Sequence, residues 1–216
     1  MQKKIKLAVL ISGTGRTLKN MIDRTKAGTL DAEIKLVVSS SSSASGLQYA
    51  EEAVIPIEIL ERPAFKSQGE FSTAIFDACR KAEVDYIAMA GYIKFLDIPD
   101  DFTNRVLNIH PALVPAFCGK GYYGDHVHAK VLEYGAKISG CSVHFVDQKY
   151  DNGPVILQKA VEVFETDTVA SLNDRVFKAE CEAYPEAIQL IAEERISVVG
   201  RIVKITPLTE PRVVEF

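Results

Sequence analysis

Closely paired cysteines are missing from this chain. Its four, Cys79, Cys118, Cys141 and Cys181, stand far apart with no CxxC among them. That argues against a structural zinc site and for reduced thiols, the default of the cytoplasm, where the protein is expected. Positive charge is not in excess either. The balance of 25 basic against 29 acidic residues gives a net charge of -4, the wrong sign for a nucleic-acid binder held by a basic surface. No apolar run reaches the ~18 residues of a membrane helix, so no membrane association is expected. The opening MQKKIKLAVLISGTGR starts like a signal peptide, but it runs into a glycine-rich turn with no small-residue cleavage site, and reads as a first strand. There is no GxSxG elbow, no HExxH, no catalytic-cysteine context and no internal repeat. The one low-complexity patch, Ser39 to Ser45, is too short for a linker and falls where a loop after a second strand belongs.

What is present suffices for a sizeable core: 216 residues, 47% of them hydrophobic. We read residues 1–216 as a single domain with two halves, about 1–105 and about 106–216. Residues 5–11 are apolar on both faces, as a central strand covered on both sides requires. Leu18, Met21 and Ile22 then recur at helical spacing. The alternation continues with strands over 33–38, 55–60, 84–90 and 105–110, and helices over 46–52 and around Phe71, Ile75, Ala78 and Cys79. It predicts an α/β fold with a doubly wound, mostly parallel, Rossmann-like sheet, its ligand-binding loops along one edge. In the second half, strands over 138–146 and 154–163 flank the polar turn Asp147 to Gly153, a sharp return that makes one strand antiparallel. A short helix over 127–134, a long one from Thr168 to about Glu194 and a final strand over 198–205 complete the expectation.

Gly13, Thr14, Gly15, Arg16 and Thr17 join the first strand to the first helix. Glycines let the backbone approach a ligand, the helix start offers free N–H groups, and Arg16 adds a charged contact. A dinucleotide fold would place a third glycine here and a carboxylate about twenty residues on, and a P-loop would continue GK[ST]. The third glycine and the GK[ST] are missing and the matching loop, Ser39–Ser43, has no carboxylate, so a monophosphate is the expected ligand rather than NAD or ATP.

Asn108 and His110 lie two apart at a strand end, with side chains on the same face, and Pro111 stops the strand there. An amide and an imidazole side by side suit chemistry on a carbonyl, since both can donate to a developing oxyanion. A carboxylate beside the imidazole would orient it and favour its charge. Asp147 and Asp151 are both candidates on the sequence alone. His144 and Ser142 share a face of the 138–146 strand and either back the site or belong to the strand surface. His126 and His128 form a possible metal pair with no third ligand, so no metal is expected and a helix start is the simpler reading.

Five collinear segments carry a resemblance: LISGTGRTL at 10–18, DYIAMAGYIKFL at 85–96, LNIHPALVP at 107–115, SGCSVHFVDQKYDNGPVILQ at 139–158 and AECEAYP at 179–185. From about Lys4 to about Glu194 the chain resembles the phosphoribosylglycinamide formyltransferase family of folate-dependent formyltransferases. The resemblance implies a Rossmann-like formyltransferase fold and formyl transfer from 10-formyltetrahydrofolate to the amine of glycinamide ribonucleotide in purine synthesis. It implies a catalytic triad of Asn108, His110 and Asp151, a phosphate loop at 13–17, and Glu180 near the substrate amine. Folate would lie against Ile93, Lys94, Phe95, Leu96 and Val146, in the second half with the catalytic residues, and Lys66 is a candidate for its tail. The chain departs from the pattern at Lys94, where arginine is common, at Ala112, where serine is usual, and in a longer stretch from Phe117 to Gly124. Related hydrolases carry an extra N-terminal domain and tRNA-formylating relatives a C-terminal barrel, so this length favours the compact transferase. A monomer or homodimer acting on two small molecules is expected.

Overall fold

The computed structural model describes residues 4–207. Seven strands form one sheet: β1 (Ile5–Ile11), β2 (Ala32–Ser39), β3 (Ile57–Ile59), β4 (Tyr86–Met89), β5 (Val106–His110), β6 (Ile138–Phe145) and β7 (Val155–Glu162). Their order is β3-β2-β1-β4-β5-β6-β7. The first five strands in that order pair in parallel; β6 runs antiparallel to both β5 and β7, so it is the one reversed strand of the sheet. Five helices complete the layers: α1 (Arg16–Lys26), α2 (Leu47–Glu52), α3 (Gln68–Lys81), α4 (Asp125–Tyr134) and α5 (Val169–Ala192).

The alternation of side chains along β1 sorts the core into two layers. Leu7, Val9 and Ile11 point to the side where Leu18, Met21 and Tyr184 of α1 and α5 pack. Ala8 and Leu10 point to the other, against Phe71, Ile75 and Phe76 of α3. Leu7 to Ile11 are fully buried, which is why the run is apolar on both faces. Tyr184 ties α5 to the sheet: its buried hydroxyl donates to the carbonyls of Met89 (3.1 Å) and Leu107 (3.0 Å), across the β4–β5 boundary.

Helix α5 contains Pro185. A proline in a helix has no N–H to donate and frees the carbonyl four residues earlier. That carbonyl is Cys181 O, and it accepts instead from Asn20 Nδ2 (2.9 Å) and Arg24 Nη2 (3.0 Å) of α1. The local defect in α5 thereby becomes a link between two helices.

The expected final strand over 198–205 is corrected. Two short strands, β8 (Ile196–Val199) and β9 (Ile202–Ile205), form a separate antiparallel hairpin. Gly200 takes φ +61° between them, and this left-handed turn is what breaks the apolar run.

Candidate active site

The ends of β1, β2, β4 and β5 meet at one edge of the sheet. Ser12 Oγ lies 2.7 Å from Ser40 Oγ and accepts the Ile93 N–H (3.2 Å), joining the loops after β1, β2 and β4. Two cavities open there. The larger, about 370 Å³, includes Asn108, His110, His144 and Asp151 in its lining. The smaller, about 220 Å³, is lined by residues 13–17, His128, Asn173 and Glu180. Gly91, Ile109, Pro111 and Gly124 belong to both walls, so the cavities adjoin.

Asn108 and His110 are adjacent same-face positions of β5, and β6 brings the polar turn beside them. Asp151 Oδ1 accepts from Asn108 Nδ2 (3.4 Å), and Asp151 Oδ2 lies 3.5 Å from His110 Nδ1. Oδ2 also accepts the Gly119 N–H (2.8 Å). The structure therefore separates the two candidate carboxylates. Asp147 accepts from the Lys149 N–H (2.9 Å) and Asn152 Nδ2 (2.6 Å), so it builds the turn, while Asp151 faces the imidazole. Gly153 makes the turn possible: a β-carbon there would overlap the Phe145 carbonyl.

His110 is 3% exposed and its Nε2 lies 2.8 Å from the Phe117 carbonyl. A carbonyl only accepts, so Nε2 carries a proton. Nδ1 then meets the Asp151 carboxylate either as N–H or as a lone pair, and only the N–H is attractive. Burial pushes the His110 pKa down, and the Asp151 charge and the Phe117 carbonyl push it up without overcoming that. Burial alone would raise the Asp151 carboxyl, but contact with His144 and the charge on His110 leave it below its ordinary value. The contacts at both ring nitrogens thus favour a protonated imidazole while burial opposes it. His144 Nδ1 donates to the Phe145 carbonyl (2.7 Å), and its Nε2 lies 3.3 Å from Asn108 Nδ2 and 3.7 Å from Asp151 Oδ1. Ser142 acts on the backbone instead. Its buried hydroxyl donates to the Ala112 carbonyl (2.7 Å) and accepts the Val114 N–H (2.9 Å), holding the loop after β5.

At the smaller cavity, Gly15 caps α1 with φ +68° and no side-chain cap. Arg16 donates to Asn173 Oδ1 (3.0 Å), and its guanidinium lies 4.0 Å from the Phe177 ring centroid. Glu180 opens on this cavity and is half-buried. Burial pushes its carboxyl up to about 7, against the pull of Arg16. Ile93, Lys94, Phe95, Leu96 and Val146 all line the larger cavity, together with Lys120, Tyr122 and Tyr123 of the long stretch after Phe117. Lys66 lines neither cavity: it is exposed just before α3. His126 and His128 lie two apart on α4, which turns them to different sides: His126 is exposed against Tyr123, and His128 is buried. No group of three potential metal ligands occurs among the described residues.

Gly46 gives no signal in the sequence. Its N–H donates to the Gly13 carbonyl (3.0 Å), and it packs on Gly15. It supplies from another loop the third glycine that the first lacks.

Two adjoining cavities, the larger one lined by a carboxylate–imidazole–amide cluster, are the arrangement that a group-transfer site requires. Residues 5–188 match the formyl transferase family, and the chain belongs to it. The chloroplastic phosphoribosylglycinamide formyltransferase of Vigna unguiculata is 37% identical over 196 residues, 90% of this chain. The human trifunctional purine biosynthetic protein adenosine-3 is 38% identical over 199 residues, 91% of this chain. The chain spans 63% of the first relative's length and 19% of the second's. The crystal structure of glycinamide ribonucleotide transformylase 1 from Symbiobacterium toebii superposes with a TM-score of 0.90 at 38% identity, covering 96% of both chains.

Proposed function

We propose that this protein transfers a formyl group from 10-formyltetrahydrofolate to the amine of glycinamide ribonucleotide, in the cytoplasm. The observation that carries the proposal is the meeting of Asn108, His110 and Asp151 on the wall of a cavity that adjoins the glycine loop. The ribonucleotide phosphate binds at residues 13–17, where the N-terminus of α1 and Arg16 supply donors and positive charge. Its glycinamide end extends past Glu180 toward His110. The folate lies in the larger cavity, its ring against Ile93, Phe95, Leu96 and Val146, and its carboxylates toward Lys94 and Lys120. Lys94 and Lys120 line the larger cavity and Lys66 lines neither, which favours the first two as tail contacts.

The amine nitrogen attacks the formyl carbon, and the oxygen becomes an oxyanion. Asn108 Nδ2, exchanging its long contact to Asp151 (3.4 Å) for the oxyanion, and the His110 imidazolium stabilise it by donating, the usual role of preorganised donors at a developing charge. Asp151 holds the imidazolium. The formyl oxygen takes the place at Nε2 that the Phe117 carbonyl fills in the free protein. The carbon–nitrogen bond to folate then breaks, and the proton lost by the amine passes through water to the folate nitrogen. No covalent intermediate with the protein forms.

A folate-product assay with and without glycinamide ribonucleotide tests this. Product should form only when the ribonucleotide is present. Equal product without it makes water the acceptor and the protein a hydrolase.

A further inference from the structure

His128 is buried in the wall of the smaller cavity with one ring nitrogen unpaired. It lies in the first turn of α4, at 2% exposure, and its Nδ1 has no hydrogen-bond partner among the described residues. A polar nitrogen taken from water without a partner is costly and calls for an explanation. The cavity it lines is the one built by the glycine loop, Arg16, Asn173 and Glu180. Asn173 links the surrounding helices: it accepts from Arg16 of α1 (3.0 Å) and donates to Asp125 Oδ1 of α4 (2.8 Å). Burial holds the ring below its ordinary pKa, Asp125 raises it, and His110 and Arg16 lower it further. Burial raises the carboxyl of Glu180, on the facing helix, to about 7. Two groups able to carry positive charge, on α1 and α4, therefore border one space.

We propose that His128 is a direct ligand of the substrate's phosphate, donating from the α4 side while the loop N–H groups and Arg16 donate from the other. A phosphate monoester offers three acceptor oxygens, more than one helix start can satisfy. Its charge would also favour the protonated ring that burial disfavours. The assignment rests on reading the smaller cavity as the phosphate site.

Ribose 5-phosphate binding, measured by calorimetry on the whole chain, tests it. H128L should weaken binding about tenfold or more, and H128Q, which keeps an N–H donor, about threefold or less. Binding of 10-formyltetrahydrofolate should hold within about twofold in both, showing an intact fold. In the wild type the ¹⁵N resonances of the His128 ring should move as ribose 5-phosphate saturates. Unaltered ribose 5-phosphate affinity in H128L, or ring signals that stay still at saturation, would overturn the proposal. A wild type that binds ribose 5-phosphate but forms no formylated glycinamide ribonucleotide defeats the acceptor reading alone, and the His128 shifts and H128L loss then still support the phosphate contact.

Discussion

Gly46 closes on Gly15 so tightly that neither has room for a side chain: a β-carbon on Gly15 would lie 2.6 Å from Gly46 Cα, and one on Gly46 2.7 Å from Gly15 Cα. Gly15 could not accept one easily in any case, since its φ is +68°. Gly46→Ala should therefore push the loop after β2 off the glycine loop. We expect a loss of about 1–3 kcal/mol in stability, the usual cost of overpacking, with a raised KM for the ribonucleotide. Denaturant unfolding and steady-state kinetics check both; an unchanged KM would separate Gly46 from the loop it touches.

Asn108→Ala removes one donor to the oxyanion. The expected result is a kcat about a hundredfold lower, with KM for both substrates nearly unchanged. A loss under about threefold would mean that the amide does not face the reacting oxygen.

Asp151→Asn tests the charge on the imidazole. Asp151 raises the His110 pKa against burial, so the neutral amide should let it fall further. Less imidazolium means a kcat lower by roughly a hundredfold near neutrality, with the remaining activity shifted toward acid. A pH–rate profile of unaltered shape would contradict the coupling.

Arg16→Ala should raise KM for the ribonucleotide more than KM for the folate, because Arg16 lines only the smaller cavity. Equal effects on both substrates would remove the phosphate assignment.

Glu180 makes stability depend on pH. Its carboxyl is raised from 4.5 to about 7, so the folded state holds the proton more tightly than the unfolded chain. Its contribution is fully present below about 4.5 and is lost as pH rises through about 7. Glu180→Gln should melt higher than the parent at pH 8, by roughly 2–4 °C for each kcal/mol recovered. The gain should shrink toward pH 5, and the ribonucleotide KM should rise. Thermal melts at the two pH values decide it; a constant difference would refute the titration.

The sequence announced the sheet because β1 is buried on both faces and therefore apolar throughout, and it announced the Asn108–His110 face because a strand repeats every two residues. Without the family resemblance, which points to Asp151, the spacing does not separate Asp147 from Asp151, since both sit in one turn; the antiparallel return of β6 puts Asp151 beside His110. Gly46 stayed silent because its constraint is a contact with a distant loop rather than a local turn. His128 was visible as a residue but not as a site: helical rotation buries it and leaves His126 outside, and nothing in the spacing shows which way α4 faces.

The proline in α5 has a consequence for what the pocket can hold. Cys181 O stitches α5 to α1 directly beside Glu180, so the carboxyl and the glycine loop ride on two beams bolted together. The gap between anion cradle and carboxyl becomes a fixed caliper. Under the proposed function this gap sorts ligands by length: one whose phosphate and amine lie closer together than the jaws would seat one end only and leave its nitrogen short of the formyl carbon.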